Sequence, residues 1–247
     1  MRVIAAGWSD IGLQRQINED SFAILQEGPE AEQWGACFVV CDGLGGAPAG
    51  EVASRLAAQA FVAAWSSKEL PAVDTRQRLQ LAIHEANAAV YRASRSSVEL
   101  EGMGTTLVGL VAHAGWVCVG NVGDSRCYRL RDGVLKQLTE DHTLAADMVR
   151  QGLLDPTYAS EVSERNILTR AVGTTARVES DVTADEIHVG DRYLLCSDGL
   201  WSTVPTSDVA AALTGSAAQD AARRLVNLAN DHGGPDNATA LVVDALS

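Results

Sequence analysis

Apolar residues recur along this chain with two different periods, and the change from one to the other sets out its elements. Residues 34–41 (WGACFVVC) form an unbroken apolar run, the pattern of a strand buried on both faces. It ends at the glycine-rich turn Asp42-Gly43-Leu44-Gly45-Gly46. From Glu51 to about Trp65, Val52, Ala53, Leu56, Ala57, Ala60 and Ala64 recur at helical spacing. From about Asp74 to Ala93, Leu79, Ala82, Ile83, Ala86 and Val90 share one helical face. The period then shortens. Thr105–His113, Trp116–Val122 and Arg126–Leu130 read as strands, and Arg131-Asp132-Gly133 as a hairpin turn. Residues 143–170 are polar and mixed apart from a short helix near Leu144–Gln151. Strand patterns return at Tyr193–Ser197 and Thr239–Asp244. Between them, Ser216-Ala217-Ala218-Gln219 has the form of a capping box opening a helix through Leu225 and Ala229 that stops at Gly233-Gly234. Helices and antiparallel-style strands come in blocks rather than in strict alternation, which predicts an α+β layered domain rather than a doubly wound sheet.

Composition narrows the class. The 247 residues, 47% of them apolar, suffice for one sizeable core, and with no linker or repeat we expect one domain over 1–247. No apolar run approaches the roughly 20 residues of a membrane helix, and Met1-Arg2-Val3-Ile4 lacks a secretory pattern, so a cytoplasmic address without membrane contact is expected. Cys37, Cys41, Cys118, Cys127 and Cys196 lie in apolar runs with no zinc-type spacing and read as small buried hydrophobes. The formal charge of −13 argues against nucleic acid, which clustered Lys and Arg bind.

Part of that acidity sits where strands end. Asn18-Glu19-Asp20 follows Gly12-Leu13-Gln14-Arg15, Asp42 closes the 34–41 run, Asp124 lies in Gly123-Asp124-Ser125-Arg126, Asp198 follows Tyr193–Ser197, and Asp236-Asn237 precedes the last strand. Singly, each Asp-Gly is an ordinary turn and each Glu or Asp a solvated charge. A carboxylate directly after a buried strand, however, is partly desolvated and needs a cation or hydrogen bonds. Several converging at one sheet edge would need bound hard cations.

The order of these elements resembles the metal-dependent protein phosphatase family, protein phosphatase type 2C, in its compact bacterial form. The matching blocks are Gly12-x-x-Arg15-x-x-Asn18-Glu19-Asp20, Asp42-Gly43-x-Gly45-Gly46, Gly104-Thr105-Thr106 and Asn121-Val122-Gly123-Asp124-Ser125-Arg126. Further on come Leu138-Thr139-x-Asp141-His142-Thr143, Leu168-Thr169-Arg170-Ala171-Val172-Gly173, Ser197-Asp198-Gly199-Leu200-Trp201 and Gly233-x-x-Asp236-Asn237-Ala238-Thr239. They span essentially the whole chain.

The resemblance implies a four-layer sandwich of two antiparallel β-sheets flanked on each face by antiparallel helices, with two Mn or Mg ions in a cleft at one end. It assigns Asp42 to both ions, Asp198 and Asp236 to the first, Glu19 and the Gly43 carbonyl to the second, and Asp20 to a ligand or water-holding role. A third, weaker ion is expected on Asp124 and Asp198. The implied reaction is in-line attack on phosphoserine or phosphothreonine by a hydroxide bridging the two ions, without a phosphoenzyme. Arg15 is expected to bind the phosphate through its planar fork. The implied partners are phosphoprotein substrates and an opposing serine/threonine kinase, with the enzyme a monomer. Leu44 stands where many eukaryotic members carry a histidine proposed as general acid. His84 and His113 read as structural and His142 as a packing or hydrogen-bonding residue, leaving a metal-bound water to protonate the leaving oxygen. Residues from about Leu144 to Asn166 match the family's flap, whose polar run Asp155–Glu164 reads as mobile and as a determinant of substrate preference. Two other readings are a phosphatase of small esters and an inactive regulatory module; the intact acidic set argues against the latter.

Overall fold

The computed structural model describes residues 2–44, 49–71, 73–158 and 162–247. Gly45 and Gly46 of the predicted turn, and residues 159–161 of the run Asp155–Glu164, lie outside the described residues. Two antiparallel sheets face one another. The first has the order β1 (Arg2–Asp10), β11 (Ala238–Leu246), β10 (Arg192–Cys196), β7 (Arg126–Arg131) and β8 (Val134–Gln137). The second has the order β2 (Asp20–Leu25), β3 (Ala36–Leu44), β5 (Leu107–His113), β6 (Trp116–Val122) and β9 (Asp181–Glu186), with the short β4 (Gly104–Thr105) beside the end of β3. Helices α2 (Ala49–Ser66) and α3 (Thr75–Ser94) cover the second sheet, and α6 (Thr206–Leu213) and α7 (Ala218–Asp231) cover the first. Shorter helices are α1 (Pro29–Trp34), α4 (Leu144–Arg150) and α5 (Asp198–Trp201).

Four layers make three apolar interfaces, and alternation along single strands builds all three. In β3, Cys37, Val39 and Cys41 face α2 and α3, while Phe38 and Val40 face the opposite sheet. In β10, Leu194 and Cys196 pack on α6 and α7 while Tyr193 and Leu195 turn inward. Burial on both faces is why these strands read as continuous apolar runs rather than alternating ones. All five cysteines are buried and free.

Local chemistry accounts for the ends. Asp74 caps α3 by accepting the Gln77 N–H at 3.0 Å. Arg78, fully buried, closes the end of α2 by donating to the carbonyls of Trp65 and Ser67 at 2.6 Å and stacking on Trp34. The β7–β8 hairpin turns through Asp132 and Gly133, both at positive φ, as the tight two-residue turn requires. The expected capping box at Ser216 does not form. Ala217 is the N-cap of α7 with no side-chain bond, and the Ser216 hydroxyl donates back to the Ala212 carbonyl of α6 at 3.5 Å. The short α6–α7 connection draws Ser216 into the end of the preceding helix instead.

Candidate metal centre

Strand pairing brings the acidic positions together at one end of the sandwich. β2 and β3 pair in a register that sets Asp20 opposite Asp42. β10 and β11 run side by side, so Asp198, just past one, lies near Asp236, just before the other. The turn after β6 supplies Asp124, and the loop between β1 and β2 supplies Arg15 and Glu19. Of the eight residues expected from sequence, Arg15, Glu19, Asp42, Gly43, Asp124, Asp198 and Asp236 line one cleft of about 310 Å³, with Leu44, Thr106, Asn166, Leu168 and Asn237. Asp20 is buried one step behind them.

Each acid is held by its backbone or by neighbours the sequence did not reveal. The Asp42 N–H donates to Thr106 Oγ1 at 2.9 Å, and its carbonyl accepts from Thr105 Oγ1 and the Thr106 N–H, both at 2.8 Å. Thr106 Oγ1 in turn meets Ser125 Oγ at 2.7 Å, which ties Asp42 to the Asp124 turn. Asp20 Oδ2 accepts from Ser197 Oγ and Thr239 Oγ1, both at 2.6 Å. Asn237 Nδ2 donates to the carbonyls of Ile11 and Ile17, and Asn237 Oδ1 accepts the Glu19 N–H at 2.8 Å, locking the Arg15–Glu19 loop beside Asp236. Ordinary turn and strand residues fill these positions, so no composition rule singles them out. Their only mark in the sequence is membership of the ordered blocks.

Close backbone approach explains the glycines. A Cβ on Gly43 would lie 2.2 Å from the Gly50 carbonyl oxygen, and one on Gly199 would lie 2.1 Å from that of Asn237. The Gly50 backbone, in the first turn of α2, lies close against the Glu19 carboxylate, where a Cβ would fall 2.4 Å from Oε1 and where a helix N-terminus favours negative charge.

Electrostatics shows what the cleft would accept. Burial, followed by the charges of Asp20, Asp198 and Asp124, pushes the Asp42 carboxyl well above its usual range. Burial also raises Asp20 to about 7, and burial together with Asp198 raises Asp124 to about 7. Asp198 is raised chiefly by burial and then by the charge of Asp236, with the neighbouring Asp42 carboxyl pulling the other way. Glu19 Oε1 and Asp20 Oδ1 are buried with no hydrogen-bond partner. Among the described residues Arg15 is the sole basic side chain lining the cleft. It donates to Asp236 Oδ2 at 2.6 Å, and its side chain is 48% exposed. An all-oxygen donor set with orphaned, desolvated carboxylates fits hard divalent cations.

Among the described residues no histidine lines this cleft. His142 is 1% exposed and fully engaged: Nδ1 accepts the Gly123 N–H at 3.1 Å, and Nε2 meets Asp181 Oδ2 at 3.0 Å. That bears out its reading as a hydrogen-bonding residue. Cys41 is buried, with its thiol pushed far up by desolvation, and offers no nucleophile.

Comparison with known proteins agrees with this site. The family model for protein phosphatase 2C matches residues 14–214. The serine/threonine phosphatase stp of Listeria monocytogenes serotype 4b (strain F2365) is 37% identical over 241 residues, covering 96% of this chain and 93% of its own length. The serine/threonine protein phosphatase PstP of Mycobacterium tuberculosis (strain CDC 1551 / Oshkosh) is 38% identical over 241 residues, 98% of this chain but 45% of that protein. The crystal structure of the PstP catalytic domain in complex with two manganese ions superposes with a TM-score of 0.85 at 36% identity, covering 99% of each chain.

Proposed function

The chain belongs to the protein phosphatase 2C family, and we propose that it is a metal-dependent protein serine/threonine phosphatase whose two Mn or Mg ions are held by this cleft. The observation that carries the reading is that Asp42, Asp124, Asp198 and Asp236 line one cleft, with Glu19 Oε1 and Asp20 Oδ1 left unpartnered. Asp42 would serve both ions, Asp198 and Asp236 the first, and Glu19 with the Gly43 carbonyl the second. Asp20 would hold water behind them. Asp124 with Asp198 would take a third, weaker ion. When bound, the ions supply an activated water nucleophile and offset charge on the phosphoryl oxygens.

The chain's own residues do the rest. Arg15, half-exposed at the rim and paired with Asp236, would exchange that carboxylate for the phosphate, to which it offers its guanidinium fork. Thr105 and Thr106 fix the Asp42 peptide, so its carboxylate needs no reorganisation as charge develops. Water attacks phosphorus in line, the bond to the seryl or threonyl oxygen breaks, and that oxygen takes its proton from water, since Leu44 stands in the turn and no histidine lines the cleft among the described residues. We read the enzyme as a cytoplasmic monomer opposing a serine/threonine kinase; the five free cysteines are in keeping with a reducing compartment.

The test is turnover of a phosphothreonine peptide and of an aryl phosphate, with Mn, with Mg and with chelator. We expect activity to vanish in chelator and in Asp42→Asn, and the peptide to be preferred by orders of magnitude. Activity surviving excess EDTA, or undiminished in Asp42→Asn, would overturn the metal mechanism. Equal efficiency on both substrates would favour a small-ester phosphatase.

A further inference from the structure

The two carboxylates that would share the third ion come from distant parts of the chain, and one contact sets their spacing. Asp198 opens the four-residue helix α5 and Trp201 closes it. The Trp201 indole N–H donates to the Asp124 backbone carbonyl at 3.0 Å. One end of α5 therefore carries one carboxylate, while the other end grips the peptide that carries the second.

The indole is itself held. The Arg126 guanidinium lies 3.5 Å from the Trp201 ring centroid, and Arg126 is pinned by two-pronged bonding to Asp141, at 2.7 Å for Nη2 to Oδ2 and 3.0 Å for Nε to Oδ1. Asp141 precedes His142, whose ring accepts the Gly123 N–H and whose own N–H donates to the Gly123 carbonyl at 3.0 Å. Gly123 has φ +103, and a Cβ there would lie 2.7 Å from Thr106 Cγ2, so the turn has no freedom to retreat on that side. The Asp124 peptide is gripped at both ends, and the grip on its carbonyl comes from the element that begins with Asp198.

We infer that Trp201, backed by Arg126, is a positioning residue that fixes Asp124 against Asp198 and thereby sets the affinity of the ion these two would share. The inference rests on the proposed role of Asp124 as a metal ligand. Partners that orient a ligand typically affect metal affinity by about 10- to 100-fold. The contact here is a single neutral hydrogen bond, so the lower end, about tenfold, is expected.

Full-length protein is titrated with Mn2+, with free Mn2+ followed by electron paramagnetic resonance and tryptophan fluorescence recorded in parallel. Paramagnetic Mn2+ at Asp124 should quench the adjacent indole of Trp201. Wild type should show a weak class of site that Asp124→Ala abolishes. Trp201→Phe keeps a ring under Arg126 but lacks the donor. It should weaken that class about tenfold, remove its share of the quenching, and leave the tighter sites and the melting temperature in place. Arg126→Lys, which loosens the stack without touching the indole N–H, should weaken the same class by less. If the weak class exists and both variants leave it unchanged, the inference fails while the metal role of Asp124 stands. If Asp124→Ala leaves the titration unaltered, the metal role itself falls. A drop in melting temperature without a change in weak-site affinity would make Trp201 merely structural and also overturn the inference.

Discussion

Without metal, Asp124 should weaken the fold, and by an amount that grows with pH. Burial first, and Asp198 next, hold its carboxyl at about 7 in the fold against a reference of 3.8. A carboxyl raised in this way binds its proton more tightly in the folded chain than in the unfolded one. Its penalty is therefore small below 3.8, grows as pH rises between the two values, and is complete above about 7. Each pKa unit is about 1.4 kcal/mol, so Asp124 should cost about 2 kcal/mol at pH 5 and about 4 kcal/mol at pH 7.5. Asp124→Asn keeps the shape and cannot ionise. In metal-free protein it should be the more stable chain by those amounts, measured as the difference in urea unfolding free energy at the two pH values. Taking the difference between the two proteins cancels His142, whose pKa is lowered chiefly by burial and whose contribution runs the opposite way with pH. Adding Mn2+ at pH 7.5 should shrink the advantage of Asn, because cations relieve the repulsion that raised the acid. A metal-free Asp124→Asn no more stable than wild type at pH 7.5, or an advantage that does not grow with pH, would refute the picture of desolvated, uncompensated carboxylates.

Gly199→Ala should destabilise by at least ~1–3 kcal/mol, since its Cβ would sit 2.1 Å from the Asn237 carbonyl oxygen and 3.2 Å from Asp236 Cβ; Mn2+ affinity should fall with it, and calorimetry on both would show the pairing. Arg78→Met should cost about 2–4 kcal/mol in urea unfolding while sparing turnover at 25 °C, because it strips the donors from the carbonyls ending α2 far from the cleft. In the flap, Leu153→Ser with Tyr158→Ser removes two well-exposed apolar side chains; kcat/KM should fall more for a phosphoprotein than for an aryl phosphate, and equal losses would count against a specificity role.

How far the sequence could be read depended on burial. Strands buried on both faces, β3 and β10, and the long amphipathic helices α2, α3 and α7 announce themselves by pattern alone. β1, β2 and β9 do not. β9 reads Asp-Val-Thr-Ala-Asp-Glu and has no fully buried residue at its sheet edge; it is a strand because its backbone pairs with β6 from Asn121↔Asp181 to Trp116↔Glu186. That pairing is a property of the partner, not of the segment. The break at Thr106, which splits the expected Thr105–His113 strand into β4 and β5, likewise comes from outside: Thr105 exchanges backbone bonds with Val172 at 3.0 and 2.8 Å.

By itself, the sequence determined which residue types could meet a hard cation and in what order they come, because a carboxylate after a buried strand is an anomaly that local chemistry exposes. It also determined that Leu44 leaves no histidine in the turn. Only the tertiary structure decided that Asp42, Asp198, Asp236 and Asp124 face one cleft, since sheet register, not spacing along the chain, joins residues up to some two hundred positions apart. It alone placed Asp20 behind the cleft on Ser197 and Thr239, and Trp201 on the Asp124 carbonyl. These are side chains acting on a distant backbone, and a backbone group carries no letter in the sequence to be read.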